Sequence, residues 1–202
     1  AANVKSLGAK CNLISVVGND ENSRIMIDEM EKIQLNHHLI KDNSRPTTFK
    51  KRYMVENQKI FRVSKLNDEE LSSEIENRII SKLEDLAPNS DGIIVSDFVY
   101  GVITKKIIDK LAELSNKFGL KLLGDLQCSS QVGNITKFEN YELLCPNERE
   151  ARLALQDKES GLEVLSQKLF VKAKCNRLIM KLGGNGFIAY DRDIRGEIVS
   201  QS

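Results

Sequence analysis

The sequence carries no excess charge of one sign: 30 lysines and arginines stand against 29 aspartates and glutamates, a formal net charge of +1. No global field therefore draws the chain to nucleic acid or to an anionic membrane. Aromatic residues make up only 5%, which leaves few platforms on which bases stack. No apolar run is long enough to cross a bilayer, and no charged segment followed by an apolar one opens the chain. The expectation is a soluble, cytoplasmic protein with no nucleic-acid and no membrane partner. Cysteine pairs are lacking too. Cys11, Cys128, Cys145 and Cys175 are scattered without Cys-x-x-Cys spacing, and three of them lie in or beside apolar runs, as small buried hydrophobes of a reducing compartment do. The two histidines, His37 and His38, are adjacent and have no companion ligands nearby, which favours a surface turn over a metal site. A dinucleotide fingerprint is missing, because Gly18 stands alone where Gly-x-Gly-x-x-Gly is needed. There is no internal repeat and no low-complexity tract.

What is present suits one domain with an appendage. Leu13–Val17 is an apolar strand, ended by Gly18-Asn19-Asp20 and followed by a helix over Ser23–Ile33 whose Met26, Met30 and Ile33 share a face. From Leu39 to Val63 the pattern alternates instead: Phe49, Tyr53 and Val55 fall on one face, and Thr48, Lys50, Arg52 and Met54 on the other. With a turn at Glu56-Asn57 this predicts a β-hairpin within residues 39–65. The hairpin is too small for a core of its own, so it leans on the main domain, on a sister hairpin of a second subunit, or on both. Lys50, Arg52 and Arg62 make its polar side basic, either as a charged edge that discourages aggregation or as a lid whose cations grip an anionic substrate.

Residues 1–38 and 66–202 form the expected core, with helix and strand alternating. Asn67 is a candidate N-cap for a helix carrying Leu71, Ile75, Ile79, Leu83 and Leu86 down to Pro88. Gly92–Ser96 is a strand ending in Asp97, Thr104–Phe118 a helix stopped by Gly119, and Leu120–Gly124 a strand ending in Asp125. Tyr141–Cys145, a helix boxed by Ser160-Gly161-Leu162-Glu163, and Arg177–Leu182 complete the series. The fold class is therefore α/β, a mostly parallel sheet with helices on both faces and a small β lid.

The chain is organised around Glu142-Leu-Leu-Cys-Pro-Asn-Glu-Arg-Glu150, a strand that turns straight into a helix. Asn147 at the N-cap with Glu150 three residues on is a capping box. The same place is also where anions gather in open α/β sheets, and where an amide and a carboxylate orient a hydrated magnesium ion. Asp97, Asp125, Asn147 and the glycines of Lys181-Leu-Gly-Gly-Asn-Gly186 each follow the carboxyl end of an expected strand, which points to a ligand cleft. Gly183, Gly184 and Gly186 allow close backbone approach to a ligand, or a hairpin turn before Phe187–Tyr190, or both.

In order and spacing these residues resemble the ribokinase-like, PfkB-type carbohydrate kinases, nearest to the bacterial heptose-phosphate kinase domain. Ala1-Ala2-Asn3-Val4 with Leu7-Gly8-Ala9 resembles the end of the family's sugar-binding Gly-Gly-x-x-Asn segment, and Val17-Gly18-Asn19-Asp20 its Gly-x-Asp turn. Arg45 through Arg52 and Asn57 through Arg62 resemble the heptose-kinase lid. Ser96-Asp97-Phe98 with Gly101 resembles Ser-Asp-Tyr-x-x-Gly, Asn147 to Glu150 the Asn-x-x-Glu motif, and Gly183 with Gly186 the Thr-x-Gly-x-x-Gly nucleotide loop. The resemblance implies ATP and Mg2+ as cofactors and phosphoryl transfer to a sugar or sugar phosphate. It implies sugar or sugar-phosphate contacts from Asn3, Lys50, Arg52 and Arg62, with Asp97 and Asp125 in the cleft. Nucleotide contacts from Asn147, Glu150, Gly183 and Gly186 follow, with Asn147 and Glu150 reaching the metal through water, as does a homodimer formed through the lid. Lys181 stands where the family has threonine, and Tyr100 where the heptose kinases have lysine. The Gly-Ala-Gly-Asp segment with its aspartate base and the opening strand with its substrate aspartate are not among these residues, so the expectation is a chain truncated at both ends. The competing expectations are a non-catalytic protein of the same fold that binds a nucleotide or sugar phosphate and, more distantly, a hairpin that contacts nucleic acid.

Overall fold

The computed structural model describes residues 1–56, 58–128, 131–193 and 199–201; Asn57 of the expected turn and Ser202 at the chain end lie outside them. The chain divides into two compact units, Ala1–Asp85 with Tyr100–Thr104 and Leu86–Val99 with Lys105–Ser202.

The first unit begins with α1 (Ala2–Ser6), β1 (Asn12–Val17), α2 (Glu21–Lys32) and β2 (Asn36–Lys41). β1 and β2 pair in parallel from Asn12↔Asn36 to Val17↔Lys41, and α2 is the crossover that parallel pairing needs. Asp20 caps α2, its Oδ1 accepting the Ser23 N–H at 3.0 Å, so the helix starts two residues earlier than Ser23. Met30 is buried on α2, but Ile33 lies past the helix end and is exposed. β2 departs from the sequence reading: His37 and His38 sit in a strand, not a surface turn, and Leu39–Lys41 belong with β1. The hairpin therefore starts at β3 (Phe49–Val55) and returns as β4 (Gln58–Lys65).

α3 (Ser73–Leu86) buries Ile75, Ile79, Ile80 and Leu83. Its start also corrects the sequence reading. Asn67 Oδ1 accepts the Glu69 N–H at 2.7 Å and closes a local turn. The Leu71 N–H is taken by the Gly101 carbonyl at 3.3 Å, which keeps that segment out of the helix, and Ser72 O accepts the first N–H, from Glu76, at 2.9 Å. Leu71 is buried all the same.

The second unit contains β5 (Gly92–Asp97), α4 (Lys105–Phe118), β6 (Lys121–Leu126), β7 (Leu143–Leu144), α5 (Glu148–Leu155), α6 (Leu162–Ala173), β8 (Arg177–Lys181), β9 (Phe187–Asp191) and β10 (Val199–Gln201). Among the described residues its strands form one sheet in the order β10-β9-β8-β7-β6-β5. β5 to β8 run parallel, and β9 and β10 antiparallel, the mostly parallel α/β sheet that the sequence predicts. β7 is short, but Cys145 N–H to Gly124 O at 3.0 Å and Lys181 N–H to Pro146 O at 2.8 Å carry the ladder to the start of α5. Along β6 the face of Leu122, Gly124 and Leu126 is buried and that of Leu123 and Asp125 half-buried; β8 repeats this with Leu178 and Met180 against Ile179 and Lys181. α4 packs on β6, and α5 and α6 on β8, through Ile107, Leu111, Leu114, Ala151, Leu165 and Leu169. Gly119, at φ +69°, ends α4 as expected. No side chain caps α6: Ser160, expected in its box, gives its N–H and hydroxyl to Asp157 instead, at 2.9 and 2.7 Å.

Candidate functional site

In the second unit, Asp97, Asp125, Asn147 and Gly183 all lie at the carboxyl ends of parallel strands, but not on one face. The register pairs Ser96 with Asp125, so Asp125 shares a face with Ser96, and Asp97 points to the opposite, buried one. Asp97 is 3% exposed. Its Oδ1 accepts the Val99 N–H at 2.8 Å, and Lys137 forms an ion pair with its other oxygen. Val99 adopts φ +60°, a conformation that β-branched residues rarely take, so the carboxylate holds a strained turn in place.

The capping box forms as the sequence predicts. Asn147 Oδ1 accepts the Glu150 N–H at 2.9 Å, and Glu150 Oε2 accepts the Asn147 N–H at 2.8 Å. Glu150 is 3% exposed, and its other oxygen accepts the Cys128 N–H at 3.1 Å. The carboxylate thus ties the loop after β6 to the start of α5. Next to it, Asn147 bridges Lys181, whose Nζ donates to Asp125 Oδ1 at 2.6 Å; Gln127 Nε2 donates to Asp125 Oδ2 at 3.3 Å. Half-buried Cys145 lies beside the pair, and burial pushes its thiol pKa up, keeping it neutral. Gly183 and Gly186 frame a tight turn between β8 and β9 at φ +63° and +84°, values that favour glycine, and the hairpin-turn reading of this loop holds. Among the described residues no group of three or more His, Cys, Asp and Glu is placed to hold a metal.

The first unit carries the basic residues. Register places Lys50 opposite Ser64 and Arg52 opposite Arg62 on one face of the hairpin. Phe49, Lys51, Tyr53, Phe61 and Val63 share the other, where Tyr53 and Phe61 stack at 4.3 Å. Phe49, Tyr53, Phe61 and Val63 are all exposed. Lys50 Nζ lies 4.9 Å from the centre of the buried Tyr100 ring, a cation–π contact. Asn3 is exposed on α1.

Three features of these units escape a sequence reading. Arg45 is buried, pairing with Asp42 Oδ2 at 3.0 Å and donating to the carbonyls of Tyr100 and Glu69 at 3.1 and 2.9 Å. Thr47 clamps the Gly18-Asn19-Asp20 turn: its Oγ1 accepts the Gly18 N–H and its own N–H donates to Asp20 Oδ2, both at 2.9 Å. Hydrogen bonding from the Thr47 side chain first, then from the Thr47 and Ser23 N–H groups, outweighs burial and holds the Asp20 carboxyl below the usual range. The third is Lys137, 40 residues from Asp97. The motif at Arg45-Pro-Thr47 is the one local clue to the first two.

The sequence pattern of the pfkB family carbohydrate kinases matches residues 1–201. The chain is 30% identical over 200 residues to the bifunctional protein HldE of Sulfurimonas denitrificans, covering 96% of this chain and 40% of that protein. It thus spans about 40% of the length of that curated relative. Among solved structures it is similar to phosphofructokinase-2 from Escherichia coli in complex with fructose-6-phosphate, with a TM-score of 0.74 at 14% identity over 100% of this chain and 65% of that one. Ribokinase from Giardia lamblia gives a TM-score of 0.73 at 12% identity, covering 94% of this chain and 61% of that one. Those likenesses identify the fold as ribokinase-like. With the family pattern running along residues 1–201, the chain belongs to the pfkB family of carbohydrate kinases.

Proposed function

We propose that this chain serves an ATP-dependent kinase that transfers a phosphoryl group to a hydroxyl of a sugar phosphate of the heptose-phosphate kind. The observation that carries the substrate class is the hairpin register. Arg52 lies directly opposite Arg62, with Lys50 on the same face. Two guanidinium groups and an ammonium set on one face suit a phosphate, which takes charge-assisted and bidentate hydrogen bonds from arginine. Lys50, Arg52 and Arg62 are the proposed sugar-phosphate contacts, and Asn3 a contact to the sugar. In the second unit Asp125, on the half-buried face of β6, is the proposed cleft residue, while Asp97 supports the loop after β5.

The nucleotide is assigned to the turn at Gly183 and Gly186 and to the start of α5. Both oxygens of Glu150 and the side-chain oxygen of Asn147 already accept backbone N–H groups, so they fit Mg2+ through its retained waters rather than by direct ligation. When bound, Mg2+ neutralises charge on the transferring phosphoryl group. The attacking sugar hydroxyl must lose a proton, and no residue of this chain is assigned as its acceptor. The exposed Phe49, Tyr53, Phe61 and Val63 form an apolar sheet face of the kind a second copy covers, which supports a homodimer through the lid.

A second reading, a binding protein of the same fold without turnover, is favoured by the ion pair that occupies Lys181. One experiment separates the two: the protein with MgATP and a panel of sugars and sugar phosphates, followed by ADP release and by phosphorus NMR. ADP release that depends on a phosphorylated sugar supports the kinase. Saturable sugar-phosphate binding without ADP supports the second reading. Absence of both refutes the proposal, and binding of nucleic acid with a steep salt dependence in their place assigns the hairpin to that partner instead.

A further inference from the structure

Two ion pairs in this chain are built in opposite ways. Asp42–Arg45 is closed: the side chains are 6% and 7% exposed, and the guanidinium is also bonded to two carbonyls. Asp125–Lys181 is open. Its side chains are 25% and 42% exposed, and Asp125 has only the long 3.3 Å bond from Gln127 besides the lysine among the described contacts. A half-exposed pair of this kind adds little to stability, so the fold does not explain why a flexible lysine is held across β7 to β6. Its position does suggest a use. Lys181 ends β8, two residues before Gly183, and bridges Asn147, the cap of α5. An ammonium has three donors, and one of them goes to Asp125 here. Cys145 beside the pair is a neutral thiol that does not compete for the ammonium.

We propose that Lys181 is a specificity-determining contact for the polyphosphate of the phosphoryl donor, and that Asp125 is its resting partner, displaced when that anion binds. This rests on the nucleotide assignment made above. Lys181 supplies a positive charge where a neutral hydroxyl donates only a hydrogen bond, so the site is tuned to a highly charged donor. Asp125 serves as an internal competitor that holds the ammonium in place and is exchanged for a phosphate oxygen. No covalent step is involved.

The test is calorimetric titration of the protein with ATP and with inorganic tripolyphosphate, without added Mg2+, for the wild type, Lys181→Met, Lys181→Arg and Asp125→Asn, with a thermal melt of each. Lys181→Met is expected to weaken both ligands roughly tenfold or more at an unchanged melting temperature, and Lys181→Arg to recover most of that loss. Asp125→Asn is expected to tighten both several-fold, because the competitor is gone. Wild-type affinity in Lys181→Met overturns the inference and leaves the kinase reading standing. Weakening by Asp125→Asn overturns the role of Asp125 as competitor, since the carboxylate would then be orienting the lysine. A wild type that binds neither ligand overturns both this inference and the nucleotide assignment beneath it.

Discussion

Arg45→Met should be among the most damaging single changes in the first unit, although Arg45 lies in a loop. The variant keeps the length and apolar stem of the side chain and removes its charge and donors. Asp42 is then left 5% exposed without its cation. Breaking a buried pair from one side costs about 3–5 kcal/mol. The lower end applies here, because the Ser44 N–H and hydroxyl still donate to Asp42 at 2.9 and 2.6 Å. Two carbonyls, of Tyr100 and Glu69, lose a charged donor as well, at about 1 kcal/mol each. The expected loss is about 5 kcal/mol in urea denaturation. Faster hydrogen exchange at Leu71 should accompany it, because the Leu71 N–H bonds to Gly101 next to Tyr100. pH adds a second check. Burial alone would raise the Asp42 carboxyl, but bonds from Ser44 and Arg45 outweigh it and hold the pKa below its ordinary 3.8. A carboxylate with a depressed folded pKa contributes stability above the ordinary value and loses it as pH falls through the folded one. That acid-side loss should shrink in Arg45→Met. A variant that loses under about 1 kcal/mol, or that keeps the wild-type acid limb, would refute the argument, since a closed ion pair is then not what holds this loop.

Tyr141→Phe should raise the melting temperature, by about 1 kcal/mol of stability, because the Tyr141 hydroxyl is buried with no partner among the described residues; a lower melting temperature counts against this. His38 Nε2 is likewise buried and unpartnered among the described residues, and burial first, then Lys82 and His37, against Asp85, hold its pKa below 6.5. Its stabilising contribution is complete above 6.5 and is lost as pH falls through the lowered folded value, so wild-type stability should drop on the acid side of 6.5 while His38→Leu gives a flatter profile; parallel profiles would exclude this. Gly101→Ala should cost at least about 2 kcal/mol, since Gly101 has φ +71° and an added Cβ would lie 1.8 Å from Glu69 O; denaturation within error of wild type would contradict it. Glu150→Gln, ordinarily an acceptable change in a capping box, should cost about 1–3 kcal/mol. Both oxygens accept N–H bonds and an amide has only one acceptor, so a neutral result in the melt would mean that the Cys128 bond does not form.

Much of the second unit is legible in the sequence because its determinants are local. The apolar stripe of α4 with Gly119 behind it, the Asn147–Glu150 box and the glycines after β8 each lie within one turn or one helix. What escapes is decided at a distance. Asn67 and Ser72 are both good caps, and the bond from Leu71 to Gly101 selects Ser72. β2 opens with Asn36-His37-His38, which has neither an apolar run nor β-branched residues; it is a strand because it completes a parallel pair with β1. Ser160 loses its cap role to Asp157. The pairs Asp97–Lys137 and Asp125–Lys181 join residues 40 and 56 positions apart, beyond any spacing rule.

The alternation of a strand also changes how the carboxyl-edge residues divide. In sequence Asp97 and Asp125 look equivalent, each closing a strand. One residue of register separates them, and that step reverses the face. Asp97 is thereby committed to the core side, where it holds the Val99 turn, and Asp125 to the half-buried side with Asn147 and Lys181. Glu150 makes the same point within the motif. Its burial and its two backbone bonds make it a brace between the loop after β6 and α5, and a brace is what a site working by positioning requires. The capping and ligand readings of Asn147–Glu150 are therefore not rivals: the cap fixes the helix start, and a fixed helix start beside Lys181 is what the proposed anion site requires.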